Sequence, residues 1–303
     1  MIISRRRFCA FYGCALAGAL GLSTDAFGDG ATSAPRITRY ALTPPGWPVT
    51  LRLRIAVISD IHAGEPWVAA QDIARIVRAT NELEADLIVL LGDFVGTGNL
   101  VSREIPWQDW GDVLKDLHAP LGVHAVLGNH DWWEDEIAMA RRHGPTDSHR
   151  ALSRANIPLY ENDVVHLVKD GQGFWLAGLG DQLAFSRIQD RQASSAVGLD
   201  DLPGTLAKIN NDDPVILLAH EPDIFPEVPD RVALTLSGHT HGGQVFPFGQ
   251  PFNGPTHYSG LFAYGHIVHQ GRHMIVTSGL GYSILPVRLG VPPELVVVEL
   301  GEW

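Results

Sequence analysis

The chain has 303 residues, a formal net charge of −12 at pH 7, 45% hydrophobic residues and 18% charged residues. These values suit a globular protein with a sizeable core and exclude a disordered polyelectrolyte. The acidic balance, with no Lys/Arg run beyond the opening residues, also argues against nucleic acid as a partner, because a phosphate backbone needs a concentrated basic face.

The first segment reads as an address. Ser4-Arg5-Arg6-Arg7-Phe8 resembles the twin-arginine export signal. An apolar, Ala- and Gly-rich stretch follows from Phe8 to Leu22. It is shorter than the roughly 20 residues of a membrane-spanning helix, so a cleaved signal is expected over residues 1–34. Thr24 with Ala26, or Thr32 with Ala34, supplies small residues before a cut. The resemblance implies passage through the twin-arginine translocase to the periplasm or cell envelope, with tethering at the membrane surface if the segment is retained. Both cysteines, Cys9 and Cys14, lie here, so a metal in the body of the chain must be held by nitrogen and oxygen.

Residues 35–50, rich in Pro, Thr and Gly, read as an extended lead-in outside the core, and 51–303 as one catalytic domain. Apolar runs predict buried strands at 53–59, 86–92, 123–128, 215–219, 233–237, 274–278 and 295–300. Between the first two, Val68, Ile73, Ile76, Val77 and Leu83 recur near helical spacing, which predicts a strand–helix–strand crossover. Helices are also predicted at 107–117 and around 134–142, and a glycine-turned hairpin joins 164–168 to 174–179.

The polar residues that carry chemistry fall at the ends of these strands, where ligands gather in α/β folds. In chain order they are Asp60-Ile61-His62, Gly92-Asp93, Gly128-Asn129-His130-Asp131, the lone His220, and Gly238-His239-Thr240-His241-Gly242. Singly, each is an ordinary strand cap. As an ordered set, they resemble the D-x-H, G-D, G-N-H-D/E, H and G-H-x-H signature of the calcineurin-like metallophosphoesterases, over residues 53 to 300 or thereabouts.

That resemblance implies a layered α/β/β/α sandwich with mixed sheets and a centre of two divalent ions, manganese, iron or zinc. Asp60, His62, Asp93 and His241 would hold one ion, and Asp93, Asn129, His220 and His239 the other, with Asp93 as the bridge. Imidazole, carboxylate and amide oxygen suit hard or borderline cations. A pair of ions lowers the pKa of a shared water and clamps the oxygens of an in-line displacement at phosphorus. By the same resemblance His130 is the general acid and Asp131 the carboxylate that orients it; simple phosphate binding is the other role open to His130.

Further residues bear on the substrate. After Asp93 the chain reads Phe94-Val95-Gly96-Thr97-Gly98, without the Asp-Arg-Gly arginine of the family's protein phosphatases. Gly279-Leu280-Gly281-Tyr282-Ser283, Pro286-Val287-Arg288 and Pro292-Pro293-Glu294 resemble bacterial exported or membrane-associated phosphodiesterases, a group that includes UDP-2,3-diacylglucosamine hydrolases. Arg288 is the candidate phosphate contact, with a structural ion pair as its other reading. Trp132 and Trp133 fit either the core or a substrate-packing rim. The glycines near 242 and 279 lack the spacing of a nucleotide loop.

Three functions are compatible with these residues. The first is an exported phosphodiesterase acting on a cell-envelope or lipid-linked phosphoester. A UDP-2,3-diacylglucosamine-type pyrophosphate hydrolase shares the site but needs a cytosolic nucleotide, against the export signal. A non-catalytic metal-binding scaffold is the third, and intact Asp93, Asn129 and His130 count against it.

Overall fold

The structure, a computed structural model, describes residues 34–96, 101–186, 197–244, 260–283, 286, 288 and 290–303. The segment expected to be an export signal lies outside the described residues but for its last residue, and both cysteines lie outside them. The first half runs β1 (Arg36–Leu42), β2 (Leu53–Ile58), β3 (Gly64–Glu65), α1 (Ala70–Asn81), β4 (Leu87–Leu90), β5 (Arg103–Glu104), α2 (Trp107–Leu114), β6 (Val123–Ala125), α3 (Asn129–Trp133), α4 (Glu136–Arg141) and α5 (Asp147–Arg154). The second runs β7 (Asp163–Lys169), β8 (Gln172–Gly178), α6 (Leu202–Leu206), β9 (Val215–Leu218), β10 (Val232–Ser237), β11 (Gly265–His269), β12 (Arg272–Val276) and β13 (Glu294–Leu300). Among the described residues no helix is long and apolar enough to cross a membrane.

Two mixed sheets result. One has the order β1-β13-β2-β4-β6 and the other β11-β12-β10-β9-β8-β7. In the first, β2, β4 and β6 are parallel and β13 runs antiparallel to β2; in the second, β8, β9, β10 and β12 are parallel. The period-2 alternation of side chains explains the layering. Ile55 and Val57, Leu87 and Val89, Ile216 and Leu218, and Leu234 and Leu236 fill the space between the sheets. Their neighbours Ala56, Ile58, Ile88 and Leu90 face the other way, under Ile73, Ile76 and Val77 of α1 and Trp110 and Leu114 of α2. Val215 and Leu217 turn outward beneath Leu202 of α6 and Phe225. With both faces of each sheet covered, the strands read as continuous apolar runs, and the α/β/β/α sandwich is the result.

The seven predicted strands and the hairpin are present, generally a residue or two shorter at their carboxyl ends. The lead-in is different. Residues 36–42 form β1, parallel to β13 in register Arg36↔Glu294 through Leu42↔Leu300, and Trp47 is buried in the inter-sheet core. β1 leaves no signal in the sequence because it is an edge strand with exposed or half-exposed side chains, so it lacks an apolar run. The same holds for β11. Helix α5, also not predicted, has a polar exterior and buries only Ser148, Ala151 and Leu152; Thr146 caps it by accepting from His149 N.

Because residues 36–42 form a sheet strand, deleting the chain up to Leu42 removes seven register pairs and bares the β13 edge. The thermal midpoint should fall by about 5 °C or more, measured by circular dichroism; an unchanged midpoint would restore the lead-in.

Candidate metal centre

Five of the expected ligands stand just beyond a strand end in the left-handed region: Asp60 (φ 53°), His62 (47°), Asp93 (54°), His239 (67°) and His241 (51°). That conformation costs a non-glycine residue on the order of 1 kcal/mol, and it persists only where surrounding contacts impose it. Here the backbone imposes it. Asp60 N donates to Gly92 O (3.0 Å), His62 N to Asp93 O (3.0 Å) and Ala63 N to Phe94 O (2.7 Å), so the loops after β2 and β4 are zipped together. Two motif glycines are required by close approach: a Cβ on Gly128 would lie 2.4 Å from Asp93 Oδ1, and one on Gly238 2.5 Å from Asp60 Oδ2.

The side chains converge in two groups, Asp60–His62–His241 and Asp93–His220–His239, each with its ligand atoms within 4.8 Å of one another. Asp93 joins them, its Oδ2 lying 3.2 Å from His220 Nε2 and 3.6 Å from His62 Nε2. His62 Nδ1 is 3.1 Å from Val95 O and His220 Nδ1 2.6 Å from Leu91 O, so a carbonyl takes one ring nitrogen and the other is left to face the centre. Asn129 sits on the adjoining turn, fully buried, and neither atom of its amide has a hydrogen-bond partner. An orphaned buried amide is costly. A divalent cation would satisfy its oxygen, so the residues present fit two such ions.

Electrostatics follow from burial. The Asp60 carboxyl is pushed up to about 6, chiefly by desolvation, and burial drives His62 down to about 3. His241 is likewise held well below the usual imidazole range by burial, by His62 and by the Arg288 cation. Neutral imidazoles are the form that ligates. Asp93 goes the other way: burial opposes its charge, yet His220, His130 and His62 hold it well below the usual carboxylate range.

Two residues have other roles than those expected. Asp131 does not touch the His130 ring. Its Oδ2 accepts from Asp93 N (2.8 Å) and Gly128 N (2.9 Å), and its Oδ1 from Phe94 N (3.0 Å) and Ser148 Oγ (2.7 Å). It ties the Asp93 turn to the Asn129 turn. The His130 ring meets Glu134, with Nδ1 3.3 Å from Oε1.

Arg288 is 5% exposed and turned inward. Its guanidinium donates to the carbonyls of Gly281 (2.6 Å), Ser278 (2.9 Å) and Val291 (3.3 Å), and lies 3.2 Å from His241 Nδ1. It is a loop clasp rather than a fork for phosphate. The buried carboxylate of Glu294 completes the clasp by accepting from Tyr264 OH (2.6 Å), Ser278 N (3.1 Å) and Thr38.

Of the tryptophan pair, Trp132 is core. Trp133 is half-buried, its Nε1 donates to Leu183 O (2.9 Å), and its ring stands edge-on to His130 at 5.0 Å. Sequence reasoning passed over Glu134, which the four-residue spacing from His130 could have signalled. It also passed over the buried pair Asp181 and Glu221, which only the fold brings together. Burial and Glu221 hold the Asp181 carboxyl well above its usual range.

Comparison with known proteins agrees with this geometry. A family model described as calcineurin-like phosphoesterase matches residues 53–243. The metallophosphoesterase YkuE of Bacillus subtilis (strain 168) is 30% identical over 98% of this chain and 98% of its own length. A metallophosphoesterase of Aquifex aeolicus is 29% identical, covering 88% of this chain and 91% of that protein. A Caenorhabditis elegans protein named as a metallophosphoesterase, F40B5.2, is 31% identical over 81% of this chain, which spans about half (48%) of its length.

Elemental analysis of protein purified without chelator should find two transition-metal ions per chain. Asp93→Asn should retain much less metal and lose turnover, because one carboxylate faces both groups of ligands. Full occupancy and near-normal turnover in that variant would remove Asp93 from the bridging position.

Proposed function

This chain belongs to the calcineurin-like phosphoesterase family, and we propose that within it the protein is an exported phosphodiesterase acting on a cell-envelope or lipid-linked substrate. When bound, the two ions neutralise phosphoryl oxygens and lower the pKa of a water. The chain supplies the rest. Asp60, His62, Asp93, Asn129, His220, His239 and His241 would hold the ions, and His130 gives a proton to the leaving oxygen as its bond to phosphorus breaks. The water oxygen stays on phosphorus, and one of its protons replaces the one that His130 gave up. Manganese, iron and zinc all match the donor set.

Preference for a diester is carried by the inward commitment of Arg288. A monoester arrives as nearly a dianion and is usually gripped by cationic side chains in addition to metals. The Asp-Arg-Gly arginine is missing from this sequence, and Arg288 spends its donors on three carbonyls. A diester, with one charge, asks for less. The export half of the proposal rests on Ser4-Arg5-Arg6-Arg7-Phe8. Loading manganese or iron before folded export would avoid competition from tighter-binding copper and zinc outside.

On one metal-loaded preparation, the specificity constant for bis(p-nitrophenyl) phosphate should exceed that for p-nitrophenyl phosphate, and the reverse order would overturn the diester class. Separately, changing Arg5 and Arg6 together to Lys should leave precursor in the cytoplasm. Cell fractionation and immunoblotting read this out, and an envelope-located double variant would end the twin-arginine assignment.

A further inference from the structure

We propose, resting on the general-acid reading of His130, that Glu134 is the positioning residue that fixes the His130 ring for proton donation. An imidazole on a single Cβ turns about two bonds, so its donor nitrogen has a defined direction only if the other nitrogen and the ring faces are held. Three groups bear on this ring. His62 stands edge-on at 5.2 Å and 74°, and Trp133 at 5.0 Å and 68°. These aromatic contacts confine the plane of the ring but do not distinguish one nitrogen from the other. Glu134 Oε1, 3.3 Å from Nδ1, does distinguish them.

Other carboxylates nearby are committed. Asp131 has four donors on its two oxygens, and Asp93 Oδ1 accepts from the backbone N of His130, not from its ring. The geometry of Glu134 comes from local structure. His130 lies in the first turn of α3 and Glu134 caps its carboxyl end, and residues four apart share one helix face. The Trp133 ring that meets His130 is itself held by the Nε1 bond to Leu183 O. With Nδ1 engaged, Nε2 is the nitrogen presented to the substrate. Its proton passes to the leaving oxygen, which takes the electron pair of the broken phosphorus–oxygen bond and departs as the alcohol.

The test is a series of aryl methyl phosphates running from p-nitrophenyl, which leaves without a proton, to phenyl, which leaves poorly without one. Wild type, His130→Ala, Glu134→Ala and Glu134→Gln are compared in kcat, KM and thermal midpoint. The Glu134 side chain is 38% exposed, so its variants should melt with the wild type. Glu134→Ala should lose kcat roughly ten- to a hundredfold on the phenyl ester and less than about threefold on the nitrophenyl ester, with KM little changed. Glu134→Gln, whose amide oxygen still accepts at Nδ1, should recover most of the loss. If His130→Ala shows the steep dependence on leaving group and Glu134→Ala shows a uniform loss or none, the positioning role is overturned while the general acid stands. A uniform loss in His130→Ala overturns both.

Discussion

The carboxylate of Asp93 is the charge on which this structure depends. A buried anion is tolerated only among compensating groups, and those groups come from distant parts of the chain. His62 follows β2, Asp93 itself follows β4, His130 follows β6, and His220 follows β9. Each brings a ring or a backbone N–H to within reach of one or other oxygen of Asp93. The carboxylate of Asp131 then holds the main chain of the same turn, donor by donor. Two acids side by side repel, and Asp131 shows it: burial and the charge on Asp93 push its carboxyl up to about 6.

Convergence of this kind follows from sheet topology. The parallel strands of each sheet end at one edge of the sandwich, and the ligand turns are short because they carry left-handed residues and glycines instead of loops. Strain concentrates there, as expected of a site that must hold groups against their own preferences. The hydrophobic layers beneath supply the opposing stability. Phe94, directly after Asp93, stacks on Trp110 with ring centroids 5.5 Å apart and planes 7° from parallel, so the centre is anchored in the helical layer as well as in the sheet.

Several polar residues around the site turn inward to hold the protein together. Arg288 and Glu294 close the segment 277–281 from two sides, and that segment lies directly on Asp60, where a Cβ at Gly279 would stand 2.6 Å from the Asp60 Cβ. Burial pulls the Arg288 guanidinium down to about 10. A cation so placed lowers the pKa of His241 and ties the carbonyls of Ser278, Gly281 and Val291 together. Trp133, by contrast, remains half-buried, its ring edge-on to His130.

The sequence by itself determined the chemistry: the ordered Asp60–His62, Asp93, Asn129–His130, His220 and His239–His241 set is legible because motif residues are adjacent in the chain and glycines force their turns. It also determined the buried strands, since a strand covered on both faces must be apolar along its whole length. Only the tertiary structure decided what depends on a second partner. Edge strands β1 and β11 carry no apolar run, because their outer faces meet water, so their pairing with β13 and β12 leaves no periodic trace. Asp131, Glu134, Glu294 and Arg288 are acids and a base whose spacing permits several partners. Which of these each takes is set by the fold: Asp131 accepts from the main chain of Asp93 and Phe94 on another turn, and Glu294 accepts from the Thr38 hydroxyl across the β1–β13 pair.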